Sequence, residues 1–208
     1  FKQSIDFNYN NKLFTTLFHS RLSIIDLHDR SNQPFKFGTK SIVFNGEIYN
    51  YLEIKELLKQ KNVSFFTNSD VEVLAKSIEY WGYDALDKLE GMWAFSIYDE
   101  EDGSLTLCRD RFGEKPLYVY EKSPQEIFFG SEIKFISELI GKKFSVDEDN
   151  LKNFMIYGYK QIYKNKSSFF KEITEIKPGF LRIYQLNKKP KNICYWKPSF
   201  EMKTISLE

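Results

Sequence analysis

Ile42-Val43-Phe44-Asn45-Gly46-Glu47-Ile48-Tyr49-Asn50 is the stretch from which the rest of the chain can be read. Ser41 to Phe44 has the composition of a buried strand. It runs into an Asn-Gly pair, and a helical pattern follows over Tyr51 to Gln60, with apolar positions at Ile54, Leu57 and Leu58. A strand that ends this way can aim an amide side chain and a free backbone N–H at one point. Two such donors are what a tetrahedral oxyanion needs. Taken alone, Asn-Gly reads as a plain turn. Two further segments change that reading.

The first is Arg21-Leu22-Ser23-Ile24-Ile25-Asp26. An arginine here can make a two-pronged bond to a carboxylate, although by itself it reads as a surface ion-pair partner. The second is Ser69-Asp70-Val71-Glu72-Val73-Leu74, at the start of an amphipathic stretch marked by Val71, Leu74, Ile78 and Trp81. Asp70 by itself reads as a helix cap, but an acid so placed can also bind an ammonium. Jointly, a guanidinium, a carboxylate and a pair of donors describe a pocket for a free amino acid. Arg21 would hold its α-carboxylate and Asp70 its α-ammonium. Asn45 and Gly46 would face the tip of its side chain, and if that tip is an amide the reaction is amide hydrolysis.

Outward from these segments the chain alternates in texture. Strands are predicted over Leu13 to His19, Leu22 to Leu27 and Val63 to Phe66, and a helix from Ser69-Asp70 to Gly82. From Gly91 the pattern is of strands: Met92 to Tyr98, Leu105 to Arg109, Leu117 to Tyr120 and Ile127 to Gly130, with a hairpin turn at Asp102-Gly103. Helices are predicted over Ile133 to Leu139 and Glu148 to Tyr157. Lys160 to Lys166 and Lys188 to Asn192 read as basic loops. Strands, then helices, then strands predict α+β layers and not alternating βαβ units.

The 208 residues are 42% hydrophobic and 17% aromatic, ample for one large core. Thirty basic against 29 acidic residues give a net charge near +1, so bulk charge argues for neither a nucleic-acid nor a membrane-surface partner. No apolar run reaches transmembrane length. Two cysteines in dissimilar contexts, Cys108 and Cys194, make no disulfide framework and point to a reducing cytoplasm. Both read as packing residues. His19 and His28 are isolated, so no metal cluster is expected.

Five motifs in order carry a resemblance: Arg-Leu-Ser-Ile-Ile-Asp from Arg21, Phe-Asn-Gly-Glu-Ile-Tyr-Asn from Phe44, Ser-Asp-Val-Glu-Val-Leu from Ser69, Glu-Gly-Met-Trp-Ala-Phe-Ser-Ile-Tyr-Asp from Glu90, and Arg-Asp-Arg-Phe-Gly-Glu-Lys-Pro-Leu-Tyr from Arg109. Over about residues 10 to 184 the chain resembles the glutaminase domain of glutamine-hydrolysing asparagine synthetase, a class II glutamine amidotransferase. The resemblance implies a four-layer αββα fold of the N-terminal-nucleophile (Ntn) hydrolase type. It implies glutamine contacts from Arg21, Leu22, Ser23, Ile24 and Ile25, from Asn45, Gly46 and Glu47, and from Asp70, with Asn45 and the Gly46 N–H as the oxyanion hole. It places Arg109 to Tyr118 against a C-terminal synthetase domain. That domain would use ATP and Mg²⁺, while the glutaminase domain itself needs no cofactor.

The departure from the pattern lies at the start. In this family the nucleophile is an N-terminal cysteine whose own α-amine takes the thiol proton, whereas this sequence opens on Phe1. The first strand and helix of the pattern are expected to be missing, and the polypeptide alone is expected to be inactive. The amidotransferase domain is expected over 1–185, with 186–208 as a tail toward the synthetase domain. An uncovered apolar face would favour a homodimer. Two alternatives stay open: a glutaminase half serving another acceptor, in polysaccharide or peptide modification, and a non-catalytic scaffold.

Overall fold

The computed structural model describes residues 2–10, 13–22, 24–158 and 168–200. The basic stretch 160–166, read above as a loop, lies outside the described residues, as does Ser23.

Lys2–Tyr9 (β1) and Leu13–Ser20 (β2) form an antiparallel hairpin. Phe35–Phe37 (β3), Lys40–Ile48 (β4), Gly91–Asp99 (β5) and Ser104–Arg109 (β6) then build one antiparallel sheet with Phe180–Tyr184 (β10) and Lys191–Cys194 (β11). Its strand order is β11-β10-β6-β5-β4-β3. A second sheet, ordered β8-β7-β9, comprises Tyr118–Ser123 (β7), Glu126–Gly130 (β8) and Ile173–Glu175 (β9). The helices are Tyr51–Lys59 (α1), Asp70–Trp81 (α2), Ile133–Ile140 (α3) and Glu148–Tyr157 (α4).

The two-residue period of the central strands sorts their side chains into separate cores. Ile42, Phe44 and Ile48 of β4, and Trp93, Phe95 and Ile97 of β5, are buried with Ile54 and Leu58 of α1 and Val71, Leu74 and Ile78 of α2. Each such burial is worth about 1.5–3 kcal/mol against an exposed side chain. On the other face, Ala94 and Leu107 meet Val119, Leu117 and Ile176 of the second sheet and its flanks. Beyond that sheet, Tyr120 and Ile173 pack on Ile136 of α3 and on Phe144. The layers are therefore helix, sheet, sheet, helix, as the resemblance implies. The hairpin joins the second layer, because Phe7 and Leu17 are buried against Tyr98, with Val43 and Phe129 packed on them.

Two expected strands are absent. Residues 24–32 form a loop that ends in a 3₁₀ turn, the Arg21 guanidinium bonding the carbonyls of Ile25 and Asp26 within the segment predicted as Leu22 to Leu27 and that of His28 just beyond it. Val63 to Phe66 is not a strand either. The N–H groups of Phe66 and Thr67 donate to the Glu72 carboxylate (2.8 and 2.6 Å), so side-chain capping replaces a ladder. Conversely, β4 runs four residues past the expected Phe44, and Asn45-Gly46 is neither a turn nor a strand end. In the stretch read as a basic loop, Lys191 onward pairs with β10. Cys194 on that strand is exposed, not packed, because the strand lies at the sheet margin.

Candidate functional site

Asn45 pairs with Ala94, Gly46 with Trp93 and Glu47 with Met92 across β4 and β5. The approach is very close at Gly46, where an added Cβ would lie 2.1 Å from the Met92 carbonyl oxygen. Only a residue without Cβ fits there. Gly91 stands in the same relation to the Glu47 carbonyl, and its φ of +148° is open only to glycine. Two glycines thus let the strands cross tightly where the candidate donors sit.

The ladder fixes the direction of the Gly46 N–H. Both backbone groups of Trp93 are bonded to Asp110 on the β6 side: its carbonyl accepts from Asp110 N (2.8 Å) and its N–H donates to the side-chain Oδ2 of Asp110 (3.3 Å). Its partner Gly46 is therefore in a non-hydrogen-bonded pair, with its N–H turned away from β5. The neighbouring N–H groups that face the same edge are held by side chains. Phe44 N donates to Gln33 Oε1 (2.6 Å) and Ile48 N to Asp70 Oδ2 (3.2 Å). β3 pairs with β4 only from Lys40 to Ile42, so this edge is open to sheet pairing beyond it.

Asn45 points to the opposite layer. Its Nδ2 donates to Ser131 Oγ (3.1 Å), in the turn between β8 and α3. Both residues line a cavity of about 850 Å³ between the β2 edge and the β8 edge. Val43, Ala94 and Ser96 of the large sheet also line it, with Phe18, Phe128, Phe135 and Leu139 adding apolar walls. His19 lines the cavity too; burial lowers its pKa to about 4, so it is neutral near pH 7.

Asp70 is the first residue of α2 and is buried, with Ser69 as the capping residue. Burial raises its pKa, against the Ile48 N–H bond that lowers it. Three other groups fix the approach to this helix. Glu72 is fully buried and also accepts from the Thr67 hydroxyl (2.6 Å). Lys55 Nζ donates to the Thr67 carbonyl (2.8 Å) and to Asn68 Oδ1 (3.2 Å). Asn68 N donates to Asp26 Oδ2 (2.8 Å), and this bond is the chief cause that lowers the Asp26 carboxyl to about 2. Sequence reasoning did not single out Glu72 or Asp26 as positioning residues. Both stand inside quoted motifs, and only the fold shows which amides they reach.

Arg21 sits at the start of the loop that Asp26 ties to Asn68. Its guanidinium donates to the carbonyls of Ile25 (2.9 Å), Asp26 and His28 (3.2 Å) and to Asn32 Oδ1 (3.2 Å). All four terminal N–H groups are thus engaged, two on each nitrogen. Leu22, Ile24 and Leu27 of the same loop are exposed, and Ile25 is half-buried. Glu47 is half-buried at the end of β4. The bonds Arg21–Asp26 and Asp26–Asn68 tie the loop to the segment that leads into α2, and the bond from Ile48 to Asp70 ties the start of α2 to β4.

The Arg109 to Tyr118 stretch is held rigidly. Asp110 is buried and accepts from the N–H groups of Phe112, Glu114 and Lys115 (3.0 Å each). Arg109 reaches Glu175 Oε2 (2.8 Å) and the carbonyls of Gly113, Lys115 and Ile176. Phe112 is left 71% exposed, edge-on to Trp196 at 5.0 Å. Of the two cysteines, Cys108 is fully buried and its thiol is pushed far up by burial. Cys194 Sγ lies 3.3 Å from the Trp196 carbonyl. Among the described residues no group of three or more metal-ligating side chains occurs, and no helix is long and apolar enough to cross a membrane.

Comparison with known proteins gives relatives both in sequence and in fold. A putative glutamine-hydrolysing asparagine synthetase of Methanocaldococcus jannaschii is 32% identical over 227 residues, spanning 97% of this chain and 43% of that protein. Asparagine synthetase 3 (glutamine-hydrolysing) of Bacillus subtilis is 34% identical over 195 residues, spanning 91% and 31%. The chain thus spans less than half the length of these curated relatives. Among solved structures, the glutamine phosphoribosylpyrophosphate amidotransferase of B. subtilis superposes with a TM-score of 0.66 at 17% identity, covering 95% of this chain and 43% of that one. An allosteric regulatory enzyme of purine biosynthesis gives 0.56 at 18%, covering 94% and 31%. At such identities these two structures speak for the fold. The sequence profile of the glutamine amidotransferase domain matches residues 7–196, a span that takes in the Arg21 loop, the Asn45-Gly46 crossing, the Asp70 helix start and the Asp110 turn. The chain belongs to the glutamine amidotransferase domain family.

Proposed function

We propose that this chain is the glutamine-hydrolysing part of an asparagine-synthetase-like protein, releasing ammonia from the glutamine side-chain amide. The observation that carries the reading is the geometry of β4. The Gly46 N–H, turned to the open edge, and the Asp70 carboxylate, bonded at Ile48, sit on one strand edge two residues apart. That is about 6.7 Å along a strand, comparable with the span between the backbone and the amide tip of an extended glutamine. Asp70 would hold the ammonium and the Gly46 N–H the oxyanion, with Asn45 as second donor. Glu47 and the loop residues Leu22, Ser23, Ile24 and Ile25 would close around the ligand. For Arg21 to hold the α-carboxylate its guanidinium has to exchange some of its loop carbonyls for the ligand.

Neither cysteine suits the role of nucleophile. Cys108 is buried and held as the thiol, and Cys194 lies at the sheet margin remote in topology from β4. In this proposal an N-terminal cysteine supplied from outside the 208 residues attacks the carboxamide, and its amine takes the proton. The relatives' names support aspartate as the acceptor, in a synthetase region for which the resemblance implies ATP and Mg²⁺. The rigid Arg109–Tyr118 turn, with Phe112 exposed, is the surface proposed to face it. Two unpaired cysteines support a cytoplasmic setting. A homodimer through the apolar walls of the cavity is the proposed fate of the isolated chain.

Glutamate release from glutamine by the full-length protein tests the reading. Asp70→Asn is expected to raise KM for glutamine at least tenfold, because a charge-assisted bond to the ammonium is lost. An unchanged KM would refute the ammonium role. The 208-residue polypeptide alone is expected to release no ammonia above the buffer blank.

A further inference from the structure

We propose that Ser131 is a positioning residue for the Asn45 carboxamide, a role that rests on the oxyanion reading above. Asn45 is exposed on its strand, and the torsion of an amide about its last bond is soft and nearly two-fold. Packing alone therefore leaves open which N–H points where. The Ser131 hydroxyl settles it by accepting one Nδ2–H at 3.1 Å across 86 residues of sequence. The second Nδ2–H is then fixed in the amide plane, at a residue that together with Ser131 lines the cavity.

The hydroxyl itself stands on a stiff support. Gly130, next to it, pairs with Tyr118 at the end of β8. Phe135 N donates to the Glu132 carbonyl (3.2 Å) to start α3, whose Ile136 is buried in the outer core. Asn45 belongs to the large sheet and Ser131 to the second layer, so the bond also fixes the amide relative to the groove between them. A donor preorganised in this way loses less on reaching the transition state than one that must find its orientation.

Glutaminase kinetics of the full-length protein provide the test. Ser131→Ala is expected to lower kcat about tenfold with KM for glutamine within about twofold, because ground-state contacts are untouched. Ser131→Thr, which keeps a hydroxyl, is expected to recover most of kcat, and Ser131→Cys, a weak acceptor, is expected to behave like Ala. In an Asn45→Ala background the Ser131→Ala change is expected to have no further effect, since the two groups act as a unit. A folding defect would instead lower activity in both backgrounds alike. Wild-type kcat in Ser131→Ala, or the same loss with and without Asn45, would overturn the positioning role alone. Undiminished kcat in Asn45→Ala would overturn the oxyanion reading and Ser131's role with it.

Discussion

Gly46→Ala tests the physical basis of the site without reference to any ligand. An alanine Cβ at this position would meet the Met92 carbonyl oxygen at 2.1 Å and the Trp93 Cα at 2.8 Å. Both are backbone atoms, so no side-chain rotation relieves the overlap. The Met92 contact falls more than 1 Å short of the 3.4 Å at which ordinary contact begins. β5 must therefore move off β4 at this point. That weakens the flanking pairs Asn45–Ala94 and Glu47–Met92, which the ladder alternation makes the hydrogen-bonded ones. Two weakened pairs cost about 1 kcal/mol each, and overpacking against an unyielding neighbour adds about 1–3 kcal/mol. Reduced backbone entropy of the unfolded chain returns about 0.5–1 kcal/mol. The net expectation is a loss of about 3 kcal/mol, which for a domain of this size lowers Tm by about 10 °C. Gly130→Ala is the control: its nearest neighbours would be 3.7 and 3.8 Å away, so Tm should move by no more than about 2 °C. Thermal unfolding followed by circular dichroism reads both. Equal shifts in the two variants, or a Gly46→Ala protein that melts like the parent, would refute the claim that strand approach excludes a side chain at 46.

Glu72→Gln should cost about 2–3 kcal/mol in urea unfolding, because the buried carboxylate serves three donors and an amide leaves at least one of them facing another N–H; a loss under 0.5 kcal/mol would contradict the assigned role. A disulfide reagent should titrate one thiol in the native protein, Cys194, and two after unfolding, since Cys108 is fully buried and its thiolate disfavoured; equal rates at both thiols would show that the core opens there. His19 has its pKa lowered from 6.5 to about 4, chiefly by burial, so the unfolded chain takes up a proton that the folded one refuses. Stability should therefore fall as pH drops from 6.5 to 4, and His19→Gln should flatten that part of the profile. The Asp26 contribution, with a carboxyl lowered to about 2, is lost only below that window, as pH falls from 3.8 to 2.

What was legible in the sequence was the set of elements whose signal is local. The α2 start at Ser69-Asp70 and its end at Gly82 follow from residue types that favour helix ends and from an apolar stripe, and both stand where expected, although the Ser69 side chain makes no capping bond. The strands from β5 to β8 follow from short apolar runs between turn residues. The order of five motifs sufficed to expect an αββα amidotransferase fold.

The rest was decided by contacts between distant residues. Whether Asn45-Gly46 turns or continues depends on β5, which supplies nine partners to β4 from Lys40 to Ile48 and leaves room only for glycine at the crossing. Val63 to Phe66 has strand composition, yet its last amide, Phe66, and that of the following Thr67 were claimed by a carboxylate on the next helix, while Val63 N donates back to Leu58 of α1. Leu22 to Leu27 is apolar enough for a strand, yet its carbonyls at Ile25 and Asp26 are bonded by the Arg21 guanidinium and not by a neighbouring strand. The sequence by itself determined which residue types were available for the site, because side-chain chemistry is local. Only the tertiary structure decided where the N–H of Gly46, the acid of Asp70 and the amide of Asn45 point, because direction is set by ladder register and by partners 22 to 86 residues away.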